Sequence, residues 1–531
     1  MSEVKRVALL NYKKNLNMKR VIIVIFTLIT VLNFSVAQTY NFSLKATAVK
    51  KYLNYSKGTE LNIVGLEHRI ERDPHFVSEV VLMDKYNMLL HNGTSIPLTT
   101  RIDRALLFDI KTIDDLWNAA ILQDVIPSLI QNGTQVSLRS DAEQEAIKYL
   151  SNLEGNGLKF NDPYLENYLY TLIAKISPTT LIDGRPGNIN LMIENNPSAN
   201  ASTYPNGTIV INTGLLATLH TEDELVACLA HEVAHFVLDH HLVNINVEIK
   251  RQKAAAAAAA FATAVAAIAE GAAAYYSNGY YMPGAVTAAT AIGATAIANK
   301  IVTSLGMEYT QKQEFEADRY ALQVVKFLGY DTTALASALT RLEHVMINER
   351  SNSMYLSSDS HPALVDRIKA AGKANLQRDI NYERMVSFAI TNSAYTKMDY
   401  RRFREALVGV SQNIENNVGT ADDYLIKANC LLALKNDVSS NLEVLSLINK
   451  AKELQPNNIN IYKAEILAEL RLNNITTACE KLNAYSDYLD IMDEELPIIK
   501  NEELWKVRYH FTMHEREWVE KMLIKLKSMQ Q

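Results

Sequence analysis

The stretch ELVACLAHEVAHFVLD, residues 224–239, is apolar along most of its length yet carries two histidines and a glutamate between them. Residues four apart on an α-helix share a face, so His231 and His235 present two imidazoles to one point, with Glu232 beside them. Polar and charged groups on an otherwise apolar helix are costly to bury without partners. That cost favours a bound metal ion over an apolar helix that happens to carry two imidazoles.

A hydrolytic zinc centre wants three protein ligands and one open position for water. The motif supplies two ligands and a carboxylate that can take a proton from water. Such spacing arises by chance in roughly one or two of every hundred chains this long, so a third ligand from another element is required. The helix expected over 308–330, EYTQKQEFEADRYALQVVKFLGY, offers Glu314 and Asp318, again four apart on one face. Glu314 can ligate zinc, and Asp318 can accept a hydrogen bond from the outer nitrogen of a ligating histidine, fixing its tautomer. Alone, the pair reads as a solvated acidic face; beside the histidine motif it reads as part of one site. His240 and His241 are expected at the surface rather than as ligands. Cys228, one turn before His231, is expected in the core.

A chain of 531 residues is too long for one core, and two to four domains are expected. The first 37 residues hold six cations against Glu3, a net of +5; without them the formal charge falls from −6 to −11. An acidic remainder argues against nucleic acid as a partner. The leader itself has a basic start at Met18-Lys19-Arg20, an apolar run VIIVIFTLITVL, and small residues SVA before Gln38. This predicts a secretory signal peptide over 1–37, with Met18 an alternative start, or else an uncleaved anchor. Either sends the chain out of the cytoplasm. Cys228, Cys430 and Cys479 make no disulfide framework or zinc ribbon. Cys430 and Cys479 are expected as buried helix residues, with a pair in an oxidising compartment as the alternative.

Residues 38–139 predict a small β-containing module around ELNIVGLEHRI and FVSEVVLMDKYNMLL, with no visible chemistry. From Ser140 the pattern turns helical, with DAEQEAIKYLSNL and a helix over 162–176 that has Pro163 in its first turn. Strands are expected over 188–194 and 207–213. Thr221 and Glu224 stand in capping-box relation ahead of the histidine helix. An alanine-rich helical hairpin is expected over 252–306, its tip carrying Tyr275, Tyr276, Tyr280 and Tyr281. It can serve close helix packing, or peripheral contact with a membrane interface where tyrosine is favoured. Residues 376–531 read helical and amphipathic. Ala451, Leu454 and Pro456 are placed as in the closing helix of a tetratricopeptide repeat, and a new helix is expected around Tyr462. An unrelated helical bundle is the alternative.

DPYLENYL, NPSANAS, GTIVINTGLL, EDELVACLAHEVAH, EFEADRYA, FLGYDTTAL and HPALVDR follow one another between 140 and 372. In that order they resemble the gluzincin metallopeptidases that include the CAAX prenyl proteases, the HtpX quality-control proteases and the periplasmic BepA-type proteases. The resemblance implies an α+β, mainly α-helical fold: a zincin-like metalloprotease domain over 140–375 with a small edge sheet, followed by a TPR-like α-solenoid over 376–531. It implies one Zn2+ per chain held by His231, His235 and Glu314, with Glu232 as general base and Asp318 steadying a ligand. His361 is expected either to stabilise the oxyanion or to latch the open zinc position, and Arg367 to orient an acidic group. A substrate peptide is expected to add to a sheet edge, provided by GTIVINT or by the segment around Asn200. The implied activity is cleavage of exported or envelope proteins, including unfolded or misassembled ones, in the periplasm or at the periplasmic face of its membranes. The alternative is an envelope chaperone or adaptor that binds protein partners on its TPR-like surface, with proteolysis secondary or latched. An integral prenyl protease would need several long spans and is poorly supported.

Overall fold

The computed structural model describes residues 42–72, 82–98, 105–125, 136–183, 185, 187–245, 309–352, 364–456 and 458–530. The leader 1–37, the alanine-rich hairpin 252–306 and His361 lie outside the described residues. No helix among the described residues is long and apolar enough to cross a membrane.

The first strands follow the two-residue period of a half-buried sheet. In β1 (Leu44–Ala48), Leu44, Ala46 and Ala48 are buried and Lys45 is exposed. It joins β2 (Glu60–Arg72), β3 (Leu82–Leu90), β4 (Ser95–Pro97) and β5 (Leu106–Phe108) in an antiparallel sheet of order β4-β3-β2-β1-β5. Helix α1 (Ile113–Ala120) packs on this sheet and continues as a π-helical turn, Ile121–Val125. Its Trp117 is fully buried and donates Nε1–H to the Ile176 carbonyl at 2.7 Å. Asn118 accepts the Ile182 N–H at 2.7 Å. These two bonds tie the N-terminal sheet to the elements that carry the site. One buried cluster runs from Leu44 to Ile390.

Next come α2 (Val136–Gly155) and α3 (Pro163–Ile176), the latter capped by Asp162, whose carboxylate accepts the Tyr164 and Leu165 N–H groups. A second sheet has the order β6-β8-β7, from β6 (Asn190–Glu194), β7 (Ala201–Thr203) and β8 (Thr208–Asn212). The two expected strands are β6 and β8, paired in parallel, and β7 is an additional one, antiparallel to β8. The β7–β8 turn needs Gly207, whose φ is +79° and whose Cβ position lies 3.1 Å from the Asn188 carbonyl. A short helix α4 (Thr213–Leu216) leads to α5 (Glu222–Val237), the histidine helix. At Gly214 a Cβ would lie 2.2 Å from the Pro197 oxygen, so only glycine lets the 196–198 segment close onto α4.

Helices α6 (Gln311–Leu328), α7 (Ala334–Asn352) and α8 (Leu364–Ala371) complete this part, with α6 and α7 both against α5. Then follow α9 (Ile380–Met385), α10 (Ser387–Asp399), α11 (Phe403–Glu415), α12 (Ala421–Leu434), α13 (Val438–Leu454), α14 (Ile461–Arg471), α15 (Ile475–Glu495) and α16 (Glu502–Gln530). From α10 onward each packs on its successor, and α12 also touches α10 and α14. That is the neighbour-on-neighbour packing of stacked helix pairs. The helix expected near Tyr462 begins at Ile461. Cys228, Cys430 and Cys479 form no disulfide among the described residues, and Cys430 is fully buried.

Candidate metal centre

The two helices that carry the candidate ligands are fixed at their N-termini. Thr221 caps α5 by accepting the Glu224 N–H at 3.1 Å. Glu224 does not close the expected capping box on Thr221. Its carboxylate instead accepts the His220 N–H at 2.7 Å and pairs with Arg341 Nε at 2.7 Å, a bridge to α7. Helix α6 does have a capping box, between Thr310 and Gln313.

Where α5 and α6 pack, His231 Nε2 and His235 Nε2 lie 3.0 Å apart, with Glu314 Oε2 3.5 Å from the first and Oε1 3.5 Å from the second. All three side chains are buried. A tetrahedral zinc ion with ligand bonds near 2.0–2.1 Å separates its ligand atoms by about 3.3 Å. The observed spacings bracket that value, and two imidazole nitrogens with one carboxylate oxygen are a donor set zinc accepts. These residues fit the metal.

The outer side of His231 is held by a charged pair. Its Nδ1 lies 2.9 Å from Asp318 Oδ1. Arg367, on α8, grips Asp318 through Nε and Nη2, both at 2.7 Å, and reaches Glu314 through Nη1 at 2.5 Å. Burial and the Arg367 charge push the His231 pKa down, but hydrogen bonds to Asp318 and Glu314 outweigh them and raise it to about 9. Burial alone would raise the Asp318 pKa; Arg367 and His231 hold it below the usual carboxylate range. Glu314 and Asp318 of α6 thus do face the histidines, and Arg367 does meet acidic groups.

His240 and His241 depart from expectation: both are buried, at 3% and 9% exposure. A straight α5 would swing position 240 well away from 235. Helix α5 instead ends at Val237, Asp239 takes φ +57°, and a new helical stretch spans 240–245. Aspartate tolerates that left-handed conformation better than most residues. Arg139 and Arg185 fix it: Arg139 Nη1 bonds Asp239 at 2.7 Å and Arg185 Nη1 lies 3.2 Å from it. Arg185 also donates to the Phe236 and Val237 carbonyls at the end of α5. The break returns His240 Nδ1 to within 2.8 Å of His235 Nδ1. Tyr309 stacks on His235 at 3.6 Å between centroids, and its hydroxyl lies 2.6 Å from His241 Nε2. His241 also meets the Thr203 carbonyl. Burial lowers the pKa of His240, and that of His241 to about 4.

Glu232 lines a cavity of about 380 Å³ together with His231 and Arg367. Thr203 on β7 donates its hydroxyl to Glu232 Oε2 at 2.8 Å, with the Glu232 carbonyl at 2.9 Å. One wall is polar, with Asn196, Asn200 and Ser202; the other is apolar, with Leu335, Leu339 and Met346 of α7. Of the two candidate edges, GTIVINT forms the central strand β8 with all five residues buried, so it offers no free edge. The segment after Asn200 is the outer strand β7. Backbone bonds from Asn212 to Asn200 and from Tyr204 to Thr208 turn those residues toward β8. Alternation along the strand then aims the Ala201 N–H and C=O and the Thr203 N–H outward. Thr203 and Tyr309 go unread in the sequence, and His240 reads there as a surface residue, because their roles depend on β7 and on the break at Asp239.

Residues 165–375 match the model of Peptidase family M48. This part of the chain is similar to that metallopeptidase family. The family implies a metal cofactor and protein or peptide substrates. Over 255 residues the chain is 27% identical to the putative beta-barrel assembly-enhancing protease of Vibrio cholerae, covering 46% of this chain and 48% of the relative. It is 25% identical over 260 residues to the beta-barrel assembly-enhancing protease of Escherichia coli, covering 48% of each. Metalloprotease LoiP of Escherichia coli is 26% identical over 186 residues, 35% of this chain and 62% of the relative. The chain thus matches about half the length of the two assembly-enhancing proteases.

Proposed function

We propose that this chain is an exported zinc metalloendopeptidase that cleaves peptide bonds of envelope proteins, with His231, His235 and Glu314 holding one Zn2+. The observation that carries the reading is the convergence of both Nε2 atoms and the Glu314 carboxylate beside Glu232 in the wall of an open cavity. A zinc ion held there would supply Lewis-acid activation of water and of the scissile carbonyl. An extended substrate adds to β7 through the outward Ala201 and Thr203 backbone groups. Its side chains lie between the polar strand wall and the apolar face of α7. Glu232, steadied by Thr203, takes a proton from the attacking water and returns it to the leaving amine. Asp318, locked by Arg367, holds the His231 ring in place. On sequence pattern, His361 is the candidate for stabilising the oxyanion or for closing the open metal position.

The test is Glu232→Gln. The variant should bind zinc stoichiometrically and lose cleavage of an unfolded protein such as casein by about 10²–10⁴-fold. Wild-type cleavage rates in this variant would remove the assignment.

A second reading, an envelope chaperone or adaptor with proteolysis secondary, is supported by the stacked helices of 376–531. They enclose a cavity of about 220 Å³ lined by Asn429, Lys463, Tyr485 and Phe511 among others. The relatives' names point to beta-barrel assembly, and misassembled outer-membrane proteins are the clients we propose under either reading. A cellular role that survives Glu232→Gln favours the adaptor; a role lost with it favours the peptidase.

A further inference from the structure

We infer that His240 is a positioning residue for the metal ligand His235, fixing its tautomer and the direction of its Nε2 lone pair. The inference rests on the zinc reading above and concerns how that site is built. A neutral imidazole that ligates through Nε2 carries its proton on Nδ1, and that proton needs an acceptor. Around His231 the acceptor is the Asp318 carboxylate. Around His235 it is another imidazole: His240 Nδ1 faces His235 Nδ1 at 2.8 Å.

The proton inventory then has one solution. With His235 donating from Nδ1, His240 accepts at Nδ1 and is protonated at Nε2. That Nε2–H points to Glu316, whose Oε2 lies 3.6 Å away at the edge of the fold, and Lys312 lies 3.6 Å from the same carboxylate. Three further contacts immobilise the unit. Gln313 donates to the His240 carbonyl at 3.2 Å and to Asn244 at 2.9 Å, and Tyr309 stacks on the far face of His235. A residue just past the break in the metal helix and two residues at the start of α6 therefore act on one ligand. A neutral imidazole is a weaker acceptor than a carboxylate, so His235 is left a less basic ligand than His231.

The experiment compares His240→Asn with His240→Gln in the full chain. Asparagine keeps an acceptor at the position of Nδ1; glutamine carries its polar atoms one bond farther, at the position of Nε2. Zinc affinity is measured by competition with a chromophoric chelator, and Co2+ is substituted to read the visible ligand-field spectrum. His240→Gln should weaken zinc binding by about 10–100-fold and alter the Co2+ spectrum. His240→Asn should stay within about threefold of wild type, with an unchanged spectrum. Wild-type affinity in His240→Gln, or equal loss in both variants, overturns the positioning role. A wild-type protein that binds no zinc stoichiometrically overturns the underlying zinc reading instead. Far-UV circular dichroism on both variants keeps a folding defect from passing for lost affinity.

Discussion

Replacing Arg367 with methionine tests whether the charged cluster behind the metal is held together as the geometry implies. Arg367 is 4% exposed in its side chain, Glu314 0% and Asp318 7%. The guanidinium is shared by both carboxylates, at 2.5 Å to Glu314 and 2.7 Å to Asp318. Methionine keeps much of the volume and removes the charge, leaving two buried carboxylates facing one histidine pair. Breaking a buried pair from one side costs about 3–5 kcal/mol, because the surviving charge loses its partner. Urea unfolding of chelator-treated protein reads this directly, since a bound cation would mask part of the deficit. Asp318→Asn alone should also destabilise, by leaving Arg367 with Glu314 as its remaining carboxylate. The double variant removes both charges at once and should be more stable than the sum of the singles predicts, by about 2–3 kcal/mol. A cost below about 1 kcal/mol for Arg367→Met, or additivity within about 0.5 kcal/mol, refutes the cluster as described.

Two further outcomes follow from the same geometry. Thr203→Val removes the hydroxyl from Glu232 without changing shape; losing a hydrogen bond to a charged group costs about 1.5 kcal/mol, or about tenfold in kcat. Zinc content should be unchanged, and a kcat equal to wild type would show that Thr203 does not steady the base. Glu383 is gripped by Arg378, His220 and Asn416. Burial raises its pKa, but these partners win and bring it down to about 2 from 4.5. A depressed carboxylate stabilises the fold above its unfolded pKa and loses that contribution as pH falls. Wild type should therefore weaken between about pH 4.5 and 2 more steeply than Glu383→Gln, as read by unfolding at each pH. Parallel pH profiles would contradict this.

How much of the site the sequence revealed follows from how local each signal is. His231 and His235 are a helix period apart, and Glu314 and Asp318 repeat that period, so each pair was legible on its own. Their meeting was legible only because the motifs occur in a known order. Strand β7 was not legible: Ala-Ser-Thr is too short for any alternation to register. Nor was the fate of His240 and His241, since extending α5 by its own periodicity carries position 240 to a different side. What overrides the periodicity is Asp239, and what holds Asp239 is Arg139, a hundred positions upstream. The missed capping box has the same origin. The Glu224 carboxylate is taken by His220 and Arg341, and no local pattern announces Arg341.

This dependence bears on where the peptidase unit begins. The family match starts at residue 165, yet Arg139 on α2 is one of the two cations that shape the break after the metal helix. Trp117 and Asn118 on α1 close against the carbonyl of Ile176 and the N–H of Ile182, just before the Arg185 that caps α5. Asp124 of the following π-helical turn takes hydrogen bonds from Arg319 and Tyr320 of α6, five and six residues beyond Glu314. Two of these N-terminal contacts thus reach the end of α5 and the back of α6 directly, and the third fixes the segment that leads to Arg185. A chain cut at 165 would keep every candidate ligand and lose Arg139, Trp117 and Asp124 together. The region that carries no recognisable chemistry is thus part of what holds the two ligand-bearing helices in register, and we expect the smallest active unit of the proposed peptidase to start upstream of α1.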